Sequence, residues 1–122
     1  VARSLPALIY AEKVQSRAKR SGFDWPDVSG ALDKLREETA ELEQAMDQKD
    51  RAEEELGDLL FAAVNVARRL ELDPEQALMR ATQKFMKRFA LVEQAAGDKL
   101  RTMSLPEMTA LWEQAKQQTA GS

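Results

Sequence analysis

Two groups of carboxylates are the residues of this sequence whose types and spacing could do chemistry. The first is Glu37-Glu38-x-x-Glu41 and the second is Glu55-x-x-Asp58. Acids three positions apart share one face of a helix. Such oxygen ligands suit a hard divalent ion, Mg²⁺ or Mn²⁺, that keeps coordination positions open for a phosphorylated substrate. Glu-rich helices are also common on protein surfaces, so the first group alone indicates little.

Two of these acids differ from ordinary surface charges because apolar residues surround them on their predicted helices. At about 100° per residue, Glu38 falls within the apolar arc of its helix. From Leu56 to Ala67 only Asp58 and Asn65 are polar, and this composition predicts a helix that is buried on all sides. A carboxylate in such a helix needs a cation or hydrogen bonds to offset its desolvation. We therefore expect Asp58 to have a partner.

An all-α fold is expected to position these groups. Val, Ile, Thr and aromatic residues never alternate over a strand length, and Gly and Pro fall at boundaries, which favours helices throughout. The expected helices run from about 5 to 20, from 28 to 48, from the polar turn at 46–50 to 70, from the start signal Asp73-Pro74-Glu75 to 96, and from the capping box Ser104-Leu105-Pro106-Glu107 to 118.

The second and third helices carry the two carboxylate groups. Because the turn between them is very short, they must lie antiparallel. This arrangement can bring Glu38 and Glu41 opposite Glu55 and Asp58. Four oxygen ligands would then converge on one metal ion, and the metal implies a phosphorylated substrate.

Composition restricts the possible chemistry and partners. The chain has 122 residues, enough for one modest core, so we expect a single domain over residues 1–122. It contains no cysteine and no histidine, so a metal must be held by oxygen. With Asp+Glu 21 against Lys+Arg 18, the chain offers no broad attraction for a nucleic-acid backbone. A nucleic acid polymer is therefore not an expected partner.

Membrane insertion and secretion are not expected either. The longest nearly unbroken apolar stretch, Leu59 to Ala67, is about half of the ~20 residues that a membrane span needs. The first residues lack the long apolar core of a secretory signal. We expect a cytoplasmic chain, either processed or cut from a longer protein.

A few other side chains could contact a nucleotide. Lys84 and Arg88 lie four positions apart and could clamp phosphate oxygens, although basic side chains frequently pair with surface acids. Trp25 and Trp112 could stack on a base, but packing is the simpler role for each. Glu54, at the start of the third helix, could merely complement the helix dipole.

The two carboxylate groups resemble the magnesium motif of the MazG family of nucleoside triphosphate pyrophosphohydrolases. The resemblance covers nearly the whole chain and is to the catalytic, C-terminal half of tandem MazG proteins. It extends to the segments Leu5-Pro6-Ala7-Leu8, Gly22-Phe23-Asp24-Trp25-Pro26, Glu54-Glu55-Leu56-Gly57-Asp58-Leu59-Leu60-Phe61, Val64-Asn65, Lys84-Phe85-x-x-Arg88-Phe89 and Trp112.

The resemblance implies a dimeric all-α bundle of four to five helices. It also implies conversion of a nucleoside triphosphate to the monophosphate and pyrophosphate. Our mechanistic hypothesis is that Mg²⁺, for which Mn²⁺ could substitute, binds the phosphates and that water attacks the α-phosphorus. The implied metal ligands are Glu38, Glu41, Glu55 and Asp58.

The nucleotide site that the resemblance implies is larger than the metal set. It is lined by Lys34, Glu37, Glu54, Asp58, Lys84, Arg88 and Trp112. This assignment replaces the dipole interpretation of Glu54 and the surface interpretation of the basic pair. Either Glu37 or Glu38 would accept the proton of the attacking water, and the sequence does not choose between them.

Departures from the family pattern are few. Arg69 stands where some relatives carry His, and Thr82 stands where some carry Asn. Neither is a ligand position, so the expected activity is unaffected. The chain has no second MazG-like half, which suggests a single-domain member or a piece of a longer protein.

A different class of function is a non-catalytic helical module that dimerises or regulates, with its acids serving solubility. A di-iron bundle is set aside, because it requires Glu-x-x-His pairs and the chain has no histidine. In either remaining class we expect a homodimer, since the apolar sides of the third helix exceed what one short chain can cover.

Overall fold

The computed structural model describes residues 5–120, and most of this range is helical. The elements are α1 (Ala7–Arg20), α2 (Val28–Ala45), α3 (Lys49–Arg69), α4 (Pro74–Ala96), the short 3-10 helix η1 (Gly97–Thr102) and α5 (Leu105–Gln118). No strand occurs between residues 5 and 120. The predicted all-α class is therefore confirmed. Residues 1–4 belong to the stretch in which no secretory signal was expected, and they lie outside the described range.

Local sequence signals account for the helix boundaries. Gly22 follows α1 with a φ of +90°, a conformation that favours glycine. The Asp27 carboxylate accepts a hydrogen bond from the Gly30 N–H at 2.8 Å and caps α2. At α5, the predicted capping box is present between Ser104 and Glu107.

Helices α2 and α3 form the main packed pair of the described chain, and α1 packs against α3. Only 46–48 connect α2 to α3, so the two helices run in opposite directions. The second helix ends at Ala45 rather than at Gln48, because the polar residues after it already form the turn. Small side chains, Ala31 and Ala45 on α2 and Ala62 on α3, are buried and allow close helix packing.

The prediction that α3 is buried on all sides is wrong for this chain. Ala62, Val64 and Asn65 are buried, whereas Leu56 and Leu60 are 44% and 49% exposed. Helices α1 and α2 cover one side of α3, and apolar composition alone does not indicate how many neighbours a helix has. The exposed apolar side chains form a surface that the chain itself leaves in contact with solvent.

The described chain divides into two compact units, with the division after Ala77. The first unit contains α1, α2 and α3. The second contains α4 from Leu78 onward, η1 and α5, and buries Val92, Ala96, Ala115 and Thr119. A single domain over residues 1–122 stays a prediction.

Between residues 5 and 120, none of the helices combines the length and apolar content that a bilayer crossing requires.

Candidate metal and nucleotide site

Helix α2 contributes a buried acid and its basic neighbour to the candidate site. Glu38 is 8% exposed, as its place in the apolar arc predicted. The Lys34 ammonium lies 3.1 Å from Oε1 of Glu38 and 3.6 Å from Oε1 of Glu37. These contacts raise the pKa of Lys34, chiefly through the hydrogen bond to Glu38. Lys34 therefore stays charged and balances the buried carboxylate.

Helix α3 brings two further acids to the same place. One carboxylate oxygen from each of Glu38, Glu55 and Asp58 lies within 4.8 Å of the others. We call these three residues the carboxylate cluster. The antiparallel pairing of α2 and α3 produces it, because Glu55 and Asp58 lie one turn apart on the face of α3 that meets Glu38.

Glu41 lies beside the carboxylate cluster without belonging to it. Its side chain is half-buried, and its charge acts on Glu55. The pKa of Glu55 is raised, first by partial burial and then by the negative charges of Glu41, Asp58, Glu38 and Glu54. Carboxylates that repel one another in this way are stabilised by a bound cation. The role of Glu41 as a fourth metal ligand stays a prediction.

The expectation that Asp58 sits in an apolar interior is wrong. Asp58 is exposed although it lies on the face of α3 that meets Glu38, so α2 does not cover its side chain. Glu38 is the acid whose burial requires a compensating charge. Lys34 supplies part of that positive charge, whereas Glu55 and Asp58 add negative charge next to Glu38.

The carboxylate cluster fits the chemistry of a hard divalent ion. Its ligand atoms are all carboxylate oxygens, from Glu38, Glu55 and Asp58, which is the ligand type that Mg²⁺ and Mn²⁺ prefer. Three protein ligands leave coordination positions for water and phosphate oxygens. The donor set therefore suits an ion that is shared with a substrate better than a closed structural site.

A pocket of about 320 Å³ opens next to the carboxylate cluster. Its lining residues are Trp25, Lys34, Glu38, Asp58, Phe61, Ala62 and Asn65. One part of the lining is charged, and the other part is aromatic and apolar with a single amide. Its volume is at the lower end of the range for small-molecule sites. Such a pocket can take a molecule with a charged part and a planar part.

Some of the predicted nucleotide-site residues belong to the second unit. Lys84 is exposed, and Arg88 is half-buried. The Arg88 Nε–H donates to Oγ1 of Thr119 at 2.9 Å. The ring centroid of Trp112 lies 5.2 Å from that of Phe85, so Trp112 packs within its own unit. The nucleotide contacts of these residues stay predictions, as does that of the exposed Glu54 on α3.

A network that anchors the loop before α2 was not predicted. Arg68 and Arg69 on α3 contact the two carboxylate oxygens of Asp24, at 2.6 and 3.1 Å. Arg69 also donates to the carbonyl of Pro26 at 3.0 Å. The Arg68 guanidinium holds the pKa of Asp24 below its ordinary value. We call these contacts of Asp24 with Arg68 and Arg69 the loop clasp.

Known proteins are similar to this chain over most of its length. The sequence profile of the MazG nucleotide pyrophosphohydrolase domain matches residues 28–92. The nucleoside triphosphate pyrophosphohydrolase/pyrophosphatase MazG of Thermotoga maritima is 43% identical over 115 residues, which are 92% of this chain and 45% of the relative. The nucleoside triphosphate pyrophosphohydrolase of Escherichia coli K12 is 42% identical over 125 aligned positions, covering 97% of this chain and 48% of the relative.

A third relative matches over a shorter stretch. The uncharacterized protein YabN of Bacillus subtilis is 47% identical over 66 residues, which are 52% of this chain and 14% of that protein. The chain spans about half the length of the two longer-matching relatives. The profile match covers both helices of the carboxylate cluster. The chain therefore belongs to the MazG nucleotide pyrophosphohydrolase domain family.

Proposed function

We propose that this chain hydrolyses a nucleoside triphosphate to the nucleoside monophosphate and pyrophosphate, with Mg²⁺ as its cofactor and Mn²⁺ able to substitute. The observation that carries the proposal is the carboxylate cluster, in which oxygens of Glu38, Glu55 and Asp58 lie within 4.8 Å of one another beside a pocket. The names of the Thermotoga and Escherichia relatives describe this activity. Because such substrates are made and used in the cytoplasm, we place the protein there.

The proposed roles of the side chains follow from their positions. Glu38, Glu55 and Asp58, with Glu41 beside them, would hold the metal. When bound, Mg²⁺ supplies the positive charge that draws the phosphates to the acids and favours attack of water on the α-phosphorus. Lys34 lies at the same place and would contact phosphate oxygens.

The proton of the attacking water needs an acceptor. Of the two acids considered for this role, Glu37 fits better. Lys34 contacts both acids, Glu38 at 3.1 Å and Glu37 at 3.6 Å. Glu38 is also buried within the carboxylate cluster, whereas the side chain of Glu37 is 60% exposed. Lys84 and Arg88 are proposed to balance charge on the departing pyrophosphate, and Trp112 to line the nucleotide site.

We also propose that the chain acts as a homodimer. The support is the exposed apolar side of α3, with Leu56 and Leu60 about half exposed, because such a surface favours burial against a second copy. Sedimentation at increasing protein concentration tests this proposal. A monomer at every concentration would contradict it.

The alternative is a non-catalytic helical module that binds a nucleotide or a protein partner. Thermal unfolding with Mg²⁺ and a non-hydrolysable nucleotide distinguishes the enzyme from a module that binds only a protein partner. A site that binds the ion and the nucleotide raises the unfolding midpoint. A module that binds only a protein partner would give no shift.

Hydrolysis in ¹⁸O-labelled water tests the proposed reaction. Attack at the α-phosphorus places the label in the nucleoside monophosphate and leaves pyrophosphate unlabelled, and mass spectrometry distinguishes the two products. Glu55→Gln should lower turnover by at least about a hundredfold, because a metal ligand is lost. Glu53→Gln is the matched control, since Glu53 is exposed on the same helix. Label in pyrophosphate, or equal activity in both variants, would overturn the proposal.

A further inference from the structure

Asn65 is a buried polar residue to which neither the proposed metal site nor the proposed hydrolysis gives a role. It is 2% exposed and is the bulkiest fully buried side chain among the described residues. It nevertheless lines the 320 Å³ pocket, together with Trp25 and Phe61. Glu38 and Asp58 line the pocket as well, so the amide and two acids of the carboxylate cluster border one cavity.

The loop clasp fixes which end of the Asn65 amide faces the pocket. Nη2 of Arg68 donates to Oδ1 of Asn65 at 2.5 Å and to Oδ1 of Asp24 at 2.6 Å. The amide oxygen of Asn65 is therefore occupied. Its NH₂ group donates to no protein acceptor within residues 5–120. Asn65 thus offers the pocket the hydrogen-bond donor of its NH₂ group.

The Asp24 carboxylate also contacts the backbone of Trp25, an aromatic residue that lines the pocket. Oδ1 of Asp24 also accepts the backbone N–H of Trp25 at 2.9 Å. Arg68 therefore connects Asn65, through Asp24, to the backbone of Trp25, and Asn65 and Trp25 both line this pocket. A flat ring that packs on Trp25 or Phe61 would share the pocket with this amide donor.

We propose that Asn65 determines base specificity by donating a hydrogen bond from its amide NH₂ to a carbonyl oxygen on the substrate's nucleobase. The inference rests on the proposed function, since it takes the pocket as the nucleoside end of the triphosphate site. Uracil and guanine carry carbonyl oxygens on their pairing edges, whereas adenine carries an amino donor there. The pocket then favours uracil and guanine nucleotides over adenine nucleotides.

Asn65→Asp is the most direct test. It retains an oxygen for Arg68 and replaces the NH₂ donor by a second acceptor. The ratio of kcat/KM for UTP or GTP to that for ATP should fall by about tenfold or more. The reason is that a hydrogen-bond acceptor in place of the NH₂ donor disfavours a base carbonyl oxygen. Asn65→Ala removes the donor without adding charge, and it should lower the same ratio by a smaller factor.

Methyl triphosphate, which has the reacting phosphates but no base, is the matched control substrate. The extra charge of Asn65→Asp can weaken metal binding, but this effect lowers turnover of all substrates alike and leaves the ratio unchanged. Thermal unfolding of both variants reports their folding. Asn65→Asp should fold, because Arg68 keeps its acceptor, and failure to fold would contradict the assigned orientation of the amide.

The outcomes separate the inference from the proposed function. A wild-type protein that hydrolyses no triphosphate would overturn the proposed function and the inference with it. An active wild type whose base ratio is unchanged in both variants would overturn the inference alone. An equal fall for UTP, GTP, ATP and methyl triphosphate would assign Asn65 a structural role and would also overturn the inference.

Discussion

The Lys34 ammonium lies 3.1 Å from the carboxylate of Glu38, and the Glu38 side chain is only 10% exposed. Lys34 is thus the nearest positive charge to the carboxylate cluster of Glu38, Glu55 and Asp58 in the first unit as described. A divalent ion at the cluster would neutralise the same carboxylate. Lys34 and the proposed ion would therefore be alternative, partly competing partners of Glu38.

Replacing Lys34 by Met should have opposite effects on the protein with and without metal. Without divalent ions, the free energy of unfolding should fall by up to about 1 kcal/mol, since the lysine side chain is partly exposed and its interaction is screened. With saturating Mg²⁺ and no nucleotide, the rise in melting temperature should be larger than in the wild type. Differential scanning fluorimetry measures both changes.

Lys19→Met is the control for this prediction, because Lys19 is exposed on α1. It should change neither the metal-free stability nor the Mg²⁺ response. If Lys34→Met diminished the Mg²⁺ response, the ammonium would not compete with the ion.

Asp24→Asn should destabilise the protein strongly at neutral pH. Asp24 and Arg68 are both about one-tenth exposed, and removing one member of a buried pair costs about 3 kcal/mol. The pKa of Asp24 is lowered from 3.8, chiefly by the hydrogen bond from Arg68. The stabilisation is therefore complete above the unfolded-state pKa and is lost as the pH falls from 3.8 through the folded-state pKa.

Urea unfolding as a function of pH tests this prediction. The difference between wild type and Asp24→Asn should shrink as the pH falls below 3.8. Asp33→Asn is the comparison, because Asp33 forms an ion pair with Arg36 in which both side chains are about 70% exposed, and such pairs contribute little. An equal loss of unfolding free energy in Asp24→Asn and Asp33→Asn would contradict the importance of the loop clasp.

Thr119→Val should weaken the second unit. The Thr119 hydroxyl accepts from Nε of Arg88 and donates to the carbonyl of Ala115, each at 2.9 Å. Loss of these bonds at a residue that is 4% exposed should lower the free energy of unfolding by about 1 kcal/mol. Thr119→Ser should retain most of the free energy of unfolding. Thr109→Val, at an exposed position on α5, should leave it unchanged.

The sequence predicted the features that depend on local spacing. Helical periodicity placed Glu38 in an apolar arc, and it is buried. The short connection between α2 and α3 predicted that their acids meet, and Glu38, Glu55 and Asp58 do. The capping signals at Ser104 and Glu107 were sufficient to start α5, because caps involve residues only three positions apart.

Features that depend on distant residues were not predicted. The contact between Asp24 and Arg68 spans 44 positions, and no local spacing marks it. The exposure of Asp58 depends on which sides of α3 are covered, which apolar composition does not indicate. The fourth helix was expected to end at about 96 and does so, but the 3-10 helix η1 that begins at Gly97 was not predicted.

Binding of Mn²⁺ to the protein without nucleotide tests the central claim most directly. Isothermal titration of wild type, Glu38→Gln, Glu55→Gln and Asp58→Asn should give one saturable site in the wild type. Each variant should bind at least about tenfold more weakly, whereas Glu53→Gln, at an exposed position on α3, should match the wild type. Equal Mn²⁺ affinity in all five proteins would contradict a metal site at Glu38, Glu55 and Asp58.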